Sequence, residues 1–259
     1  MSVKIVLPDI LCISQCYNLK GNDVNNEMLI LSGIAVSTGF IHTLTGPDHY
    51  IPFIALAKAN GWSKFKTSVV VFLCGLGHVS SSLIIGLLGI AFGWSLSSLT
   101  GFEWQRGQLA GWMLIAFGIA YLIYAIRYSI KNKPHEHVHF HPDEGFHQHE
   151  HNHHGGHGHI HKSEKKKTNQ WILFLIFVFG PCEPLIPIVM YPAAKHNYFA
   201  VMLVSLIFSA VTIIMMLFIT LLALSGLKVV PIGKFERYGH VFASVAILIC
   251  GVSVKFMGL

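Results

Sequence analysis

Residues 42–52 read His-Thr-Leu-Thr-Gly-Pro-Asp-His-Tyr-Ile-Pro and interrupt an apolar segment of membrane-spanning length. Glycine followed by proline breaks a helix, because proline lacks the backbone donor and clashes with the preceding turn. A second such stretch, residues 180–187, reads Gly-Pro-Cys-Glu-Pro-Leu-Ile-Pro. Each is followed by Ala-Lys-x-Asn, at residues 57–60 and 194–197. Gly-Pro, a pair of residues able to bind metal, Ile-Pro and Ala-Lys-x-Asn recur in the same order in both stretches. This order predicts an internal repeat.

The composition is typical of a membrane protein. The chain is 53% hydrophobic and only 12% charged, whereas a soluble domain carries about 25% charged residues. The basic residues flank apolar segments rather than forming one basic face, so we predict no nucleic-acid partner. The five cysteines include no Cys-x-x-Cys pair, which argues against a disulfide framework. No enzyme motif such as a phosphate-binding loop occurs, and we predict that the protein is not an enzyme.

Six segments are long and apolar enough to cross a bilayer, which takes about 20 residues of helix. They are residues 28–58, 66–93, 107–130, 169–194, 198–227 and 238–257. The Gly-Pro stretches fall in the first and fourth segments. Three segments per repeat is an odd number, so the second repeat must insert upside down. We predict an all-α polytopic membrane protein with six transmembrane helices, arranged as two inverted three-helix repeats in which helices one and four are broken.

The same segments define the organisation of the chain. We expect an extracytoplasmic N-terminal segment, a first repeat, a His-rich loop and a second repeat, at residues 1–27, 28–130, 131–168 and 169–259. The loop is polar and has no apolar period, which predicts disorder. Lys and Arg concentrate in and beside the loops that follow segments one, three and five. These three loops are therefore predicted to face the cytoplasm. The protein is therefore expected to be a multi-pass protein of the cell (inner) membrane, with both termini outside.

Side chains that can bind a metal ion gather at the breaks and in the second segment. They are His42, Asp48, His49, His78, Cys182 and Glu183. A charged side chain at the bilayer centre costs about 2.5–3.5 kcal/mol on insertion scales, so these residues are poor candidates for filler. Mixed nitrogen, oxygen and sulfur donors suit Ni, Co, Zn or Fe better than Mg or Ca. The alternatives are that His78 packs as a hydrogen-bonded histidine and that Cys182 is a small buried apolar residue.

Histidine is concentrated in the loop between segments three and four. Twelve of the seventeen histidines lie between His135 and His161, several in His-x-His repeats. Imidazole is the commonest metal ligand in proteins, and such a tract binds metal without a fixed fold. We predict that this loop buffers metal on the cytoplasmic side.

Two motifs resemble those of the nickel/cobalt transporter superfamily, and in particular its UreH-like transmembrane branch. They are His-Thr-Leu-Thr-Gly-Pro-Asp-His at residues 42–49 and Gly-His-Val-Ser at residues 77–80. The resemblance implies transport of Ni or Co, with Zn or Fe as further substrates. It leads us to expect a secondary transporter of a divalent transition-metal cation, whose site uses the six residues named above. A homo-oligomer and a metallochaperone partner remain open.

Two other functions also remain open. The first is a membrane metal chaperone or store that supplies a metalloenzyme without net transport. The second follows from a further resemblance, because UreH-like domains are similar to the membrane domain of DsbD-related thiol electron carriers. Those carriers have a cysteine in each break, whereas this chain has Cys182 in one break and Asp48 in the other.

Overall fold

The structure, a computed structural model, describes residues 7–131, 135–141, 145–151, 170–226 and 238–257. The described residues form eight α-helices and one short hairpin. The helices are α1 Leu7–Thr45, α2 Ile51–Ala59, α3 Lys64–Ala91, α4 Leu96–Lys131, α5 Gln170–Phe179, α6 Leu185–Ala194, α7 Tyr198–Gly226 and α8 Gly239–Met257.

Five helices are long and apolar enough to cross a membrane: α1 from Asn26 onward, α3, α4, α7 and α8. Large apolar side chains lie exposed on their outer faces, among them Leu29, Phe65 and Met202. In water such a surface would be unfavourable, whereas in a bilayer it contacts lipid tails. The chain is therefore an integral, multi-pass membrane protein, as its composition predicts.

Two breaks interrupt the apolar segments where the sequence places them. In the first break, residues 46–50, α1 ends at Thr45 and Pro47–His49 form a single 3-10 turn before α2. In the second break, residues 180–184, α5 ends at Phe179 and α6 begins at Leu185. Neither α5 nor α6 alone is long enough to span the membrane. The breaks leave backbone polar groups without helical partners, and other side chains must satisfy them.

Three features differ from the sequence-based expectations. Helix α1 begins at Leu7, so most of the expected separate N-terminal segment, residues 1–27, continues the first helix; residues 1–6 lie outside the described part. Helix α4 begins at Leu96 rather than at residue 107. Glu103 and Arg106 lie inside this helix, before the expected start.

The third difference lies in the His-rich loop. Residues His135–His141 form strand β1 and Gly145–His151 form strand β2, paired antiparallel with His135 opposite His151. The prediction that this stretch has no regular structure is therefore wrong for these two strands. The regular structure comes from backbone hydrogen bonds between the two strands, which do not depend on an alternating pattern of apolar residues. The other residues of the expected loop after Lys131, namely 132–134, 142–144 and 152–168, lie outside the described residues.

Helix α3 lies at the centre of the packing and brings the two breaks together. It contacts α5 and α6 on either side of the second break, and it also contacts α7. Helix α1 packs along α7, and α4 packs along α8. Gly77 on α3 allows a close approach to α5, since a side chain there would come within 2.9 Å of Phe174 and Val178. This approach places His78, the next residue of α3, beside the second break.

Candidate metal centre at the two helix breaks

Three metal-binding side chains from three different helical segments meet at one point. A ligand atom from each of His42, His78 and Cys182 lies within 4.8 Å of the other two. His42 is in the last turn of α1, His78 is in the middle of α3 and Cys182 is in the second break. His42 Nε2 lies 3.7 Å from Cys182 Sγ. In a tetrahedral site with bonds of 2.0–2.3 Å, ligand atoms lie about 3.3–3.8 Å apart, so this pair already has that spacing.

The first break is shaped around the ring of His49. Its Nδ1 lies 3.2 Å from the carbonyl oxygen of Gly46 and 3.1 Å from Asp48 Oδ1. A side chain at position 46 would place its Cβ 2.5 Å from His49 Nδ1, so only glycine fits there. Glycine at 46 thus both ends α1 and allows the imidazole to fold back over the turn. The ring of His49, only 2% exposed, is fixed in one orientation.

The hydrogen-bond partners of His49 and His78 determine where their protons lie. Both neighbours of His49 Nδ1 are acceptors, so this nitrogen must carry a proton and donate. His78 Nδ1 lies 3.3 Å from the carbonyl oxygen of Phe177, so it also donates. The two Nε2 atoms are 3.3 Å apart, and in neutral rings both would present lone pairs. Such a contact is favourable when a cation is shared between them.

The second break places Cys182 against His42. The thiol is fully buried, and its backbone N–H donates toward Ser82 Oγ at 3.2 Å and Glu103 Oε2 at 3.1 Å. Gly180 leaves room for His78 here, since an added Cβ would lie 3.0 Å from His78 Nδ1. The break therefore allows one histidine to approach and holds one thiol through its backbone.

A cavity of about 200 Å³ opens beside this cluster. Its lining includes His42, Asp48, His49, Gln108 and Glu183. Glu183 is exposed in the cavity and does not belong to the three-residue donor cluster, whereas Asp48 contacts His49 directly. The six residues selected from the sequence thus separate into the donor cluster of His42, His78 and Cys182, the adjoining pair Asp48 and His49, and Glu183, which lines the cavity outside the cluster.

Two charged residues that were not predicted from the sequence complete the site. Glu103 is fully buried and Arg106 is 7% exposed, and their side chains form an ion pair on α4. Both contact the second break, through Cys182 N and through backbone carbonyls. Their spacing of three residues, which places both on one face of a helix, was the available signal.

The chain matches the DsbD-type family described as the cytochrome c biogenesis protein transmembrane region, over residues 51–253. Neither a curated protein nor a solved structure matches the chain. The assignment to the nickel/cobalt transporter superfamily is therefore wrong, because it rested on two short motifs whereas the matched family extends over α2 to most of α8. The match begins at Ile51 and so leaves out the first break. Because it covers well over half of the 259 residues, the chain belongs to the family of cytochrome c biogenesis protein transmembrane regions.

Proposed function

We propose that the chain is a membrane carrier that binds one transition-metal ion between its two helix breaks. The observation that carries the proposal is the meeting of His42, His78 and Cys182, whose ligand atoms lie within 4.8 Å of one another. Imidazole together with thiolate suits late first-row transition metals better than hard ions such as Mg or Ca. The metal is the cargo of the protein in this proposal, rather than a resident cofactor.

The neighbours of the cluster support this assignment. Asp48 accepts a hydrogen bond from Nδ1 of His49, which leaves the Nε2 lone pair of His49 facing Nε2 of His78, where both can bind the same ion. Partners of this kind orient metal-binding histidines and strengthen them as ligands. The cavity gives access to the buried group, and the carboxylates of Asp48 and Glu183 that line it favour cations.

The packing of the helices supports two inverted repeats. In this arrangement α1–α2, α3 and α4 correspond to α5–α6, α7 and α8. A two-fold axis then relates the contacts of α1 and α2 with α7 to the contacts of α5 and α6 with α3. The same axis pairs α3 with α7 and α4 with α8, and all these contacts are present. Secondary transporters of this design bind substrate near the midplane at paired broken helices. The proposal therefore includes six membrane-crossing units and alternating access by rocking of the repeats.

The His-rich hairpin has a separate role in this proposal. The charge bias favours a cytoplasmic position for the loop after α4. There the tract would buffer the ion or pass it to a metallochaperone, while the intramembrane residues select and carry it. A metal store without transport would need the same residues but would give no flux across a membrane.

The first test is a titration of protein that lacks residues 135–161, so that the tract does not mask the intramembrane site. Calorimetry with Co²⁺, Zn²⁺, Cu⁺ and Mn²⁺ is expected to give saturable binding of about one ion per chain. The same protein in liposomes is expected to take up the ion that binds. Binding without uptake would favour the store, and no binding in the absence of the tract would contradict the proposed site.

Gly46→Ala is expected to weaken this binding roughly tenfold or more, because misplacing a partner of a ligand typically costs 10–100-fold. The added Cβ would collide with His49 Nδ1 at 2.5 Å and displace the ring from His78. Gly33→Ala on α1 is the matched control, since an added Cβ there meets nothing within 4 Å. The comparison uses the dissociation constant of the same ion in both variants. Equal constants would mean that His49 does not support the site.

A second candidate is thiol–disulfide exchange at Cys182, and membership of a DsbD-type family favours it. The Cys182 thiolate would attack a disulfide of a partner, forming a mixed disulfide and releasing one partner thiolate. A second thiol would then resolve the mixed disulfide. Cys182 is fully buried, and within the described residues the donor atoms that gather around it belong to histidines. Thiol–disulfide exchange requires the sulfur atom itself. This function would therefore be lost if another metal-binding residue replaced Cys182.

A further inference from the structure

A buried ion pair on α4 contacts three backbone groups at the end of α5 and in the second break. They are the carbonyl oxygens of Val178 and Gly180 and the N–H of Cys182. Glu103 is 0% and Arg106 is 7% exposed, and both lie within the membrane-spanning part of the helix. Ionisable residues at this depth are costly and persist where they serve the site or the structure around it. Neither residue belongs to the donor cluster. The role of Glu103 and Arg106 is therefore inferred from their hydrogen bonds.

Arg106 satisfies the end of α5. Its Nη2 donates to the carbonyl oxygens of Val178 at 2.8 Å and Gly180 at 3.3 Å. The last carbonyls of a helix have no partners within the helix, and the Gly-Pro break prevents the next turn from supplying them. The same nitrogen donates to Ser81 Oγ at 2.7 Å, so that Arg106 joins α3, α4 and the end of α5.

Glu103 holds the other side of the break. Its Oε2 accepts hydrogen bonds from the backbone N–H of Cys182 and from Ser82 Oγ, both at 3.1 Å. Arg106 Nη1 donates to Glu103 Oε1 and, at 3.2 Å, to Ser82 Oγ. Both carboxylate oxygens of Glu103 and both Nη atoms of Arg106 have partners in this network, and such partners are the condition under which a buried charge pair is stable.

From these contacts we infer that the Glu103–Arg106 pair is a positioning device, which fixes the backbone of residues 178–182 and so holds the Cys182 thiol beside His42. The pair acts through the backbone and does not contact the ion. Gly107 supports the same arrangement, since an added Cβ there would lie 2.9 Å from Pro181 Cγ. The inference rests on the proposed function only in taking Cys182 as the functional thiol. It holds equally whether that thiol binds metal or exchanges disulfides.

The test measures how fast Cys182 reacts with a maleimide in membranes. The parent protein carries Cys182 as its sole cysteine, with alanine at Cys12, Cys16, Cys74 and Cys250. Arg106→Gln and Glu103→Gln are each expected to raise the labelling rate roughly tenfold or more, because local opening exposes the thiol. Arg127→Gln, which removes an exposed arginine from the same helix, is expected to match the parent.

Two further variants keep the test decisive. The double variant Glu103→Gln/Arg106→Gln is expected to label more slowly than either single variant, because it leaves no unpaired buried charge. Arg106→Lys keeps the charge but offers fewer, differently placed donors, and should lie between the parent and Arg106→Gln. Arg106→Lys also serves if Arg106→Gln fails to insert.

A second parent, with Cys74 as its sole cysteine, separates positioning from general unfolding. Cys74 is 1% exposed on α3 and lies in the main core. The charge substitutions are expected to leave its labelling rate unchanged. Equal acceleration at Cys74 and Cys182, or no acceleration at Cys182, would overturn the inference. Loss of metal binding in the parent would instead contradict the proposed function and leave the labelling result valid.

Discussion

Replacing His78 by alanine is expected to raise the dissociation constant of the intramembrane ion roughly 100-fold or more. His78 contacts both sides of the site: its Nε2 lies 3.3 Å from His49 Nε2, and its Nδ1 donates to Phe177 at the end of α5. Loss of a partner behind a ligand costs about 10–100-fold, and loss of the ligand itself should cost more. The measurement is calorimetric titration of protein that lacks residues 135–161.

His240→Ala is the matched control for this prediction. His240 is an imidazole of the same size on α8, paired with Tyr121 at 2.7 Å and away from both breaks. It should leave the binding constant within about twofold, as for a substitution with no shared partners. Thermal unfolding of both variants separates lost binding from lost folding. If the His78 variant bound the ion as tightly as the His240 variant, His78 would not be a ligand.

The positions of the breaks could be predicted from the sequence because their cause is local. Gly46-Pro47 and Gly180-Pro181 remove a backbone donor and introduce a steric clash at fixed points, whatever surrounds them. The long apolar helices follow equally from composition and length. A helical, multi-pass membrane fold was therefore accessible from residues alone, and the residue types at the breaks pointed to the region where α1, α3 and the second break meet.

The Glu103–Arg106 pair was not accessible in this way. Charges in an apolar segment normally mark its end, whereas both residues lie inside α4, before the start expected from the sequence. Their actual partners are backbone groups near Cys182, more than 70 positions along the chain. Only tertiary packing brings these groups within reach. The spacing of three residues indicated an ion pair, but it carried no information about the break that the pair satisfies.

Glu183 and the family assignment illustrate a second limit. Glu183 was selected because it is a charged residue at a helix break, yet neighbouring residues outside a helix project in different directions, and of Cys182 and Glu183 only Cys182 enters the donor cluster. The superfamily assignment likewise gave weight to residues 42–49, which lie before the matched region that begins at Ile51. Short motifs at a break report the chemistry available there, whereas family membership is carried by the helices that follow.

Cys182→Asp is expected to separate metal carriage from thiol chemistry. Aspartate is close to cysteine in size and supplies an oxygen that binds metals at about 2.0–2.2 Å, but it has no sulfur. If the protein carries a metal ion, this variant should bind it more weakly, by roughly tenfold, and still transport it into liposomes. The near-ultraviolet absorption that a thiolate gives to bound Co²⁺ should disappear. Thiol–disulfide exchange would be lost completely.

Two cysteine variants bracket this result. Cys182→Ala removes the donor and should bind and transport less than Cys182→Asp, while Cys74→Ala, in the core away from the site, should match the parent. If Cys182 acts by binding the metal ion, the uptake rate should fall in the order parent, Cys182→Asp, Cys182→Ala. If the aspartate and alanine variants were equally inactive while Cys74→Ala remained active, the sulfur itself would be essential. Exchange at Cys182 would then replace metal carriage as the function of the break.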